Sequence, residues 1–125
     1  MAAPLLEGQC HCGQVKVSIA AETPGVIACH CGDCQKLHGN FFALLAAERG
    51  SVQWSGTAAP QWYQSSARVQ RAFCPNCGSR LAKDAEGPPK VLMSAGLFKH
   101  DLPRQLVRQV YIESKPDWYA LPSSP

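Results

Sequence analysis

Seven cysteines fall into three short groups: Cys10-His11-Cys12, Cys29-His30-Cys31-Gly32-Asp33-Cys34 and Cys74-Pro75-Asn76-Cys77. No other feature limits what this chain can fold into as strongly. The middle group is a C-x-C-x-x-C run. On an extended backbone, side chains at i and i+2 point to the same side, so Cys29 and Cys31 face one point and His30 faces away. Gly32 permits the tight turn that swings Cys34 toward that point. Three converging thiolates make a soft, anionic site, for which zinc is the first choice of occupant. Three is also the number of protein ligands that a reactive zinc keeps, leaving a position for water or substrate.

An odd number of cysteines is awkward for a disulfide framework. It divides naturally into four and three. Cys74 and Cys77, followed by Gly78 for the positive φ such turns tend to need, form a zinc-knuckle turn. With Cys10 and Cys12 they complete a closed four-thiolate shell of structural type, which would pin the N-terminal strand to the middle of the chain. The plain alternative is a set of buried thiols or a single disulfide. For the middle group, one alternative is a second closed site with His38 as fourth ligand, four residues after Cys34 and thus on the same face of a helical turn. Another is a redox pair at Cys31 and Cys34, which calls for a helix opening in an α/β fold. The sequence does not suggest that context. The formal charge of +3 counts every thiol as neutral. Seven thiolates and two Zn²⁺ ions change it by −7 + 4 = −3, to about zero. The basic balance is therefore poor support for a nucleic-acid partner.

The length of 125 residues suggests a single domain over 1–125, with a core over 4–118 and a loose tail at 119–125. No run of 18 apolar residues suggests a membrane span, and the first residues carry no signal-peptide pattern. The expected compartment is the cytoplasm, where clustered thiols hold metal more often than they form disulfides. Short alternating apolar runs broken by Gly, Pro, Asn and Ser predict a mainly β chain with little helix. Expected strands are Val15–Ile19, Phe41–Ala47, Val52–Trp54, Gln61–Gln64, Val69–Phe73, Leu81–Lys83, Val91–Ala95 and Leu106–Glu113. Val26–Ala28 leads into the middle cysteine group, after a turn at Thr23-Pro24-Gly25. Gln35–His38 forms one helical turn ended by Gly39, and Pro116–Tyr119 another.

His11 and His30 each sit between two cysteines and are read as surface or supporting residues. Asp33 and Lys36 read as ordinary solvated charges. Arg68, Arg71 and Arg80 bracket the Cys74 turn and, with Trp54, Trp62 and Tyr63, could line a groove, although aromatics at this spacing usually belong to a core. No Ser-His-Asp order, phosphate loop or Rossmann glycine pattern is present.

In its order of motifs the chain resembles the glutathione-dependent formaldehyde-activating enzymes and their relatives, which include centromere protein V. The likeness runs from Gly8-Gln9-Cys10-His11-Cys12-Gly13-Gln14-Val15 through Cys29–Lys36 and Gly39-Asn40-Phe41-Phe42. It continues with Arg71-Ala72-Phe73-Cys74-Pro75-Asn76-Cys77-Gly78-Ser79-Arg80-Leu81 and ends with Ala95-Gly96-Leu97 and Glu113–Trp118. The resemblance implies a β-tent of several short antiparallel strands. It implies a structural zinc on Cys10, Cys12, Cys74 and Cys77, and a labile zinc on Cys29, Cys31 and Cys34 associated with glutathione and catalysis. It further implies carbon–sulfur chemistry, the addition of glutathione to formaldehyde to give S-hydroxymethylglutathione, with no catalytic residue beyond the metal ligands. Relatives often carry a histidine where this chain has Gln109-Val110-Tyr111. Two other functions fit the same scaffold: a non-catalytic zinc module that binds a protein or nucleic-acid partner, and a sensor of thiols or metal.

Overall fold

Alternation of buried and exposed residues sorts the chain onto two sheets, as a computed structural model describing residues 5–20, 25–98 and 105–121 shows. The strands, in chain order, are β1 (Leu5–Gln9), β2 (Val15–Ala20), β3 (Val26–Cys29), β4 (Phe42–Glu48) and β5 (Gln53–Gly56). They continue as β6 (Gln61–Ser66), β7 (Val69–Phe73), β8 (Arg80–Ala85), β9 (Lys90–Ser94) and β10 (Leu106–Val110). One short helix, α1 (Gly32–His38), separates β3 from β4. The smaller sheet runs β1-β2-β5 and the larger one β10-β3-β4-β9-β8-β7-β6. The fold is mainly β, as expected.

Strand parity decides what each face of the larger sheet meets, because successive side chains point to opposite faces. Leu45 and Ala47 of β4, Val91 and Met93 of β9, and Ala72 of β7 pack against Val15, Val17 and Ile19 of β2 in the main core. Phe42 and Leu44, two positions apart on β4, turn the other way and join a smaller cluster with Cys29 and Cys34. Cys10 and Cys74 belong to the main core. The two cysteine groups therefore lie on opposite faces of one sheet.

Four sequence expectations change. β10 pairs with β3 in parallel, so the larger sheet is mixed rather than wholly antiparallel. β1, with Glu7, Gly8 and Gln9 among its residues, carries no strand signal of its own; it forms by pairing along β2 from Leu5↔Ala20 to Gln9↔Lys16. The last strand stops at Val110 because Tyr111 takes the left-handed conformation, φ 56°, and Ile112–Ser114 then form a single 3₁₀ turn. At Pro116 the chain makes a turn closed by Tyr119 N donating to Pro116 O (3.2 Å), not a helix. The positions expected to turn at Thr23-Pro24 and the last four residues of the tail lie outside the described residues.

A bridge between Gly8 and Phe98 ties β1 to the segment after β9. A methyl group on Gly8 would lie 2.8 Å from both Leu97 O and the Phe98 ring, and Phe98 is itself fully enclosed in the core. Gly8→Ala is expected to lower the unfolding free energy by about 1–3 kcal/mol, the usual effect of overpacking. Gly50→Ala, where nothing lies within 4 Å, is expected to change it by less than about 0.5 kcal/mol. Urea titration of both variants checks the contrast.

Candidate metal centres

Two turns bring the first four thiols together. After β1 the backbone reverses through Gly13 (φ 80°), with Cys10 N donating to Val15 O (3.0 Å) and Val15 N donating back to Cys10 Sγ (3.3 Å). After β7 the chain reverses again through Gly78 (φ 80°), where Gly78 N donates to Cys74 O (2.9 Å). Cys77 N points at Cys74 Sγ (3.5 Å). Ser79 joins the turns: its Oγ accepts from His11 N (2.9 Å) and donates to Cys77 Sγ (3.1 Å). Those bonds from Ser79 bring the Cys77 thiol down to about 5.

The Sγ atoms of Cys10, Cys12, Cys74 and Cys77 all lie within 4.8 Å of one another. Cys10–Cys12 is 3.5 Å and Cys12–Cys74 is 3.8 Å. Four sulfurs on a tetrahedral zinc, with bonds of about 2.3 Å, stand about 3.8 Å apart. The set fits a closed site of four thiolates. Its N–H···S bonds satisfy sulfur lone pairs that do not face the centre.

The second group is built from β3 and α1. Cys29 ends β3, and Cys31 caps the helix by accepting from Cys34 N (3.3 Å). The first helical turn then carries Cys34 into the interior, where its thiol donates to Cys29 Sγ (3.5 Å). Gly32 does not use its conformational freedom, since its φ is not positive. Helical winding, rather than a tight turn, returns Cys34. The C-x-x-C run thus does open a helix, although in a β fold and not in the α/β setting of redox pairs. Gly39, with φ 87°, ends it as expected. Cys29, Cys31 and Cys34 form a group of three within 4.8 Å, which with the group of four makes up the metal-capable sets among the described residues.

His38 is not in that group. Its ring stacks on Phe42 at 4.4 Å between centroids. His11 is exposed, as expected. His30 takes the supporting place rather than a surface one; it is fully buried. Its Nε2 donates to Gln109 Oε1 (2.8 Å), and its Nδ1 has no partner among the described residues. Its ring lies 5.4 Å from Phe41 and 5.9 Å from Tyr119. Gln109, the departure noted in the sequence, is therefore the residue that holds His30. Asp33 and Lys36 are exposed.

The three arginines separate. Arg68 lines a polar cavity near Arg49 and Asp84. Arg71 is buried on β7, with Nε donating to Ser65 Oγ (3.3 Å) and Nη1 to Cys34 Sγ (3.6 Å). It serves the middle group, not the Cys74 turn beside it in sequence. Parity carries that signal: Arg71 and Cys74 are three apart and so face opposite sides of the sheet. Arg71, Arg80, His38 and Tyr63 help line a cavity of about 240 Å³ next to Cys34. Trp54 and Trp62 pack edge to face elsewhere, 6.3 Å apart. Trp62 and Tyr63 are exposed rather than core.

Electrostatics divide the middle group. The hydrogen bond from Cys34 brings Cys29 down to about 7 against the opposing effect of burial. The same bond, together with burial, pushes the Cys34 thiol well above its ordinary range. Burial, followed by the charges of Arg71, Arg80 and Lys83, lowers His38 to about 4.

The sequence matches the family model described as glutathione-dependent formaldehyde-activating enzyme over residues 5–114. A Halomonas elongata protein named "Putative glutathione-dependent formaldehyde-activating enzyme" is 31% identical over 129 residues, covering 95% of this chain and 82% of that protein. An "Uncharacterized lyase" of Schizosaccharomyces pombe is 31% identical over 118 residues, covering 93% of this chain and 85% of that one. The crystal structure of a Rhodobacter sphaeroides protein superposes with a TM-score of 0.66, covering 79% of this chain and 98% of the other. At 17% identity that likeness shows the fold alone.

Metal analysis separates the roles of the two groups. Cys29→Ser is expected to lower bound zinc by one equivalent and leave the far-ultraviolet dichroism unchanged. Cys74→Ser is expected to unfold the chain, since structural zinc contributes about 10–16 kcal/mol in small peptide systems.

The pH response of His38 has a defined sign. An unfolded imidazole takes its proton near pH 6.5, and the folded one only near 4. Protonation between those values favours the unfolded chain, so the contribution of this group is present above about 6.5 and lost as pH falls toward 4. The stability difference between wild type and His38→Gln should therefore shrink from pH 7 to pH 5 in parallel thermal melts.

Proposed function

The chain belongs to the glutathione-dependent formaldehyde-activating enzyme family, and from that premise we propose that it adds glutathione, or a similar thiol, to formaldehyde or another small aldehyde. The product is an S-hydroxymethyl adduct. In that step a carbon–sulfur bond forms, the carbonyl π bond opens and the thiol proton ends on the new hydroxyl. The reverse is carbon–sulfur lysis, in keeping with the lyase name of the fission-yeast relative.

One observation carries the reading. Cys29, Cys31 and Cys34 converge as three donors with no fourth ligating side chain among the described residues. Cys31 is only partly covered, so the group is reachable from outside. The family binds zinc, and the donor set suits it: S···S separations within 4.8 Å match three corners of a thiolate tetrahedron. Zinc in that position would supply a Lewis-acidic corner at which an incoming thiol is deprotonated near neutral pH.

The chain's own residues do the rest. Cys29 and Cys34, buried on β3 and α1, fix the position of the group. Arg71 sets a permanent positive charge 3.6 Å from Cys34 Sγ, which offsets the negative charge that three thiolates and a substrate sulfur bring together. His38, neutral in the neutral pH range, adds no competing cation. Holding two small reactants together is sufficient for an addition that already proceeds slowly in water.

Exchange spectroscopy by NMR on formaldehyde and glutathione, with and without the zinc-loaded protein, tests the proposal. Faster interconversion with protein is expected, and Cys29→Ser should reduce the acceleration by more than about 100-fold, beyond the usual effect of losing one supporting contact. An unchanged rate at equimolar protein would remove the aldehyde reaction and leave a zinc-binding module.

A further inference from the structure

The sheet face that carries Cys29, with Cys34 of α1 packed against it, also collects positive charge, with no carboxylate paired to it among the described residues. In the β7–β8 register Arg71 stands opposite Lys83, and Phe73 opposite Arg80. Tyr63 stands opposite Arg71 on the other side. Like charges placed directly across strands repel, so the Arg71–Lys83 pairing is unfavourable for the fold taken alone. The ion pairs among the described residues, Arg49–Asp84 and Lys90–Glu48, involve none of these three cations.

Arg71 and Arg80 both line the 240 Å³ cavity, with Tyr63, Phe73, Leu37 and His38. Arg71 has Cys34 Sγ for a neighbour. Arg80 donates through Nε to Leu37 O (3.2 Å) and stands 5.8 Å from the centre of the Phe73 ring. Its two terminal amino groups have no acceptor among the described residues. Those amino groups form the planar fork that matches a carboxylate. The charges of Arg71, Arg80 and Lys83 add to burial in keeping the neighbouring His38 imidazole neutral below its ordinary range.

We propose that this cavity is the carboxylate subsite of the thiol substrate. Arg80, supported by Lys83, binds an acid group carried on the thiol, and the protein thereby selects acid-bearing thiols over neutral or cationic ones of similar size. Arg71 joins the two halves of the site, touching Cys34 while lining the cavity. A space of about 240 Å³ takes one arm of a peptide-sized thiol rather than the whole molecule, since complete ligand pockets start at about 300 Å³. The proposal rests on the reading that a thiol is a substrate.

Calorimetric titration of the zinc-loaded protein tests it without using catalysis. The probes are 3-mercaptopropionate, 2-mercaptoethanol and cysteamine, together with glutathione and its diester. The acid should bind at least about tenfold more tightly than its neutral analogue, the scale of a hydrogen bond to a charged group, with cysteamine weakest. Added salt should shrink the ratio. Arg80→Gln should bring the acid-to-neutral ratio to about one, and Lys83→Gln should lower it partway, with thermal melts confirming that both variants are folded. Equal affinities for charged and neutral thiols in the wild type would overturn the subsite, as would an unchanged ratio in Arg80→Gln. Faster formaldehyde exchange with no charge preference would remove the subsite alone. A charge preference with no acceleration would uphold the subsite and remove the aldehyde reaction. Failure of every thiol to bind would remove both.

Discussion

The meeting of two turns, one after β1 and one after β7, is the contact on which the arrangement of the two sheets depends. Four sulfurs from residues far apart in the chain converge there, and Ser79 clamps one turn to the other through His11 N. Neither turn has apolar bulk of its own. Each is instead a cluster of backbone donors aimed at sulfur, such as Val15 N on Cys10 and Cys77 N on Cys74. Donors arranged in that way favour charged sulfur, and charged sulfurs at these separations need a cation between them. A domain of this size buries only about two-thirds of its unfolded surface, so a metal cross-link here would add to what the main core supplies.

Strand parity then distributes the chemistry. The larger sheet has the four-cysteine group and the main core on one face. Its other face carries the three-cysteine group, Arg71, Lys83 and a small apolar cluster around Phe42. The covered face is closed by the β1-β2-β5 sheet. The other is incompletely closed, by α1 and the C-terminal turns. The three-cysteine group consequently sits where the chain has the least to lose from leaving space.

Much of this was legible in the sequence because the signals were local. The cysteine spacings marked both groups, and alternation at Val15–Ile19 and Val69–Phe73 placed β2 and β7. Gly39 and Gly78 marked the ends of their turns. What escaped depends on partners distant in the chain. β1 has no alternating apolar run and exists by pairing with β2. The parallel β10–β3 contact joins the two ends of the larger sheet's sequence, as at Val110↔Cys29. Arg71 looked like a neighbour of Cys74 because it is three residues away, whereas its parity sends it through to Cys34. For His30 the flanking cysteines leave surface and supporting roles both open; its burial against Phe41, Tyr119 and Gln109, which decides for the second, comes mostly from the C-terminal segment.

The place of β10 sets an order of events for a chain emerging from a ribosome. β3 has its β4 partner nearby in the chain, yet its other edge stays open until β10 arrives and Val110 O takes the His30 N–H (3.0 Å). The scaffold turns at Cys10 and Cys74 are both synthesised well before that point. The four cysteines of the first group are thus all available before β10 exists, while the strand bearing Cys29 still presents bare backbone to whatever chaperone or neighbouring chain is at hand.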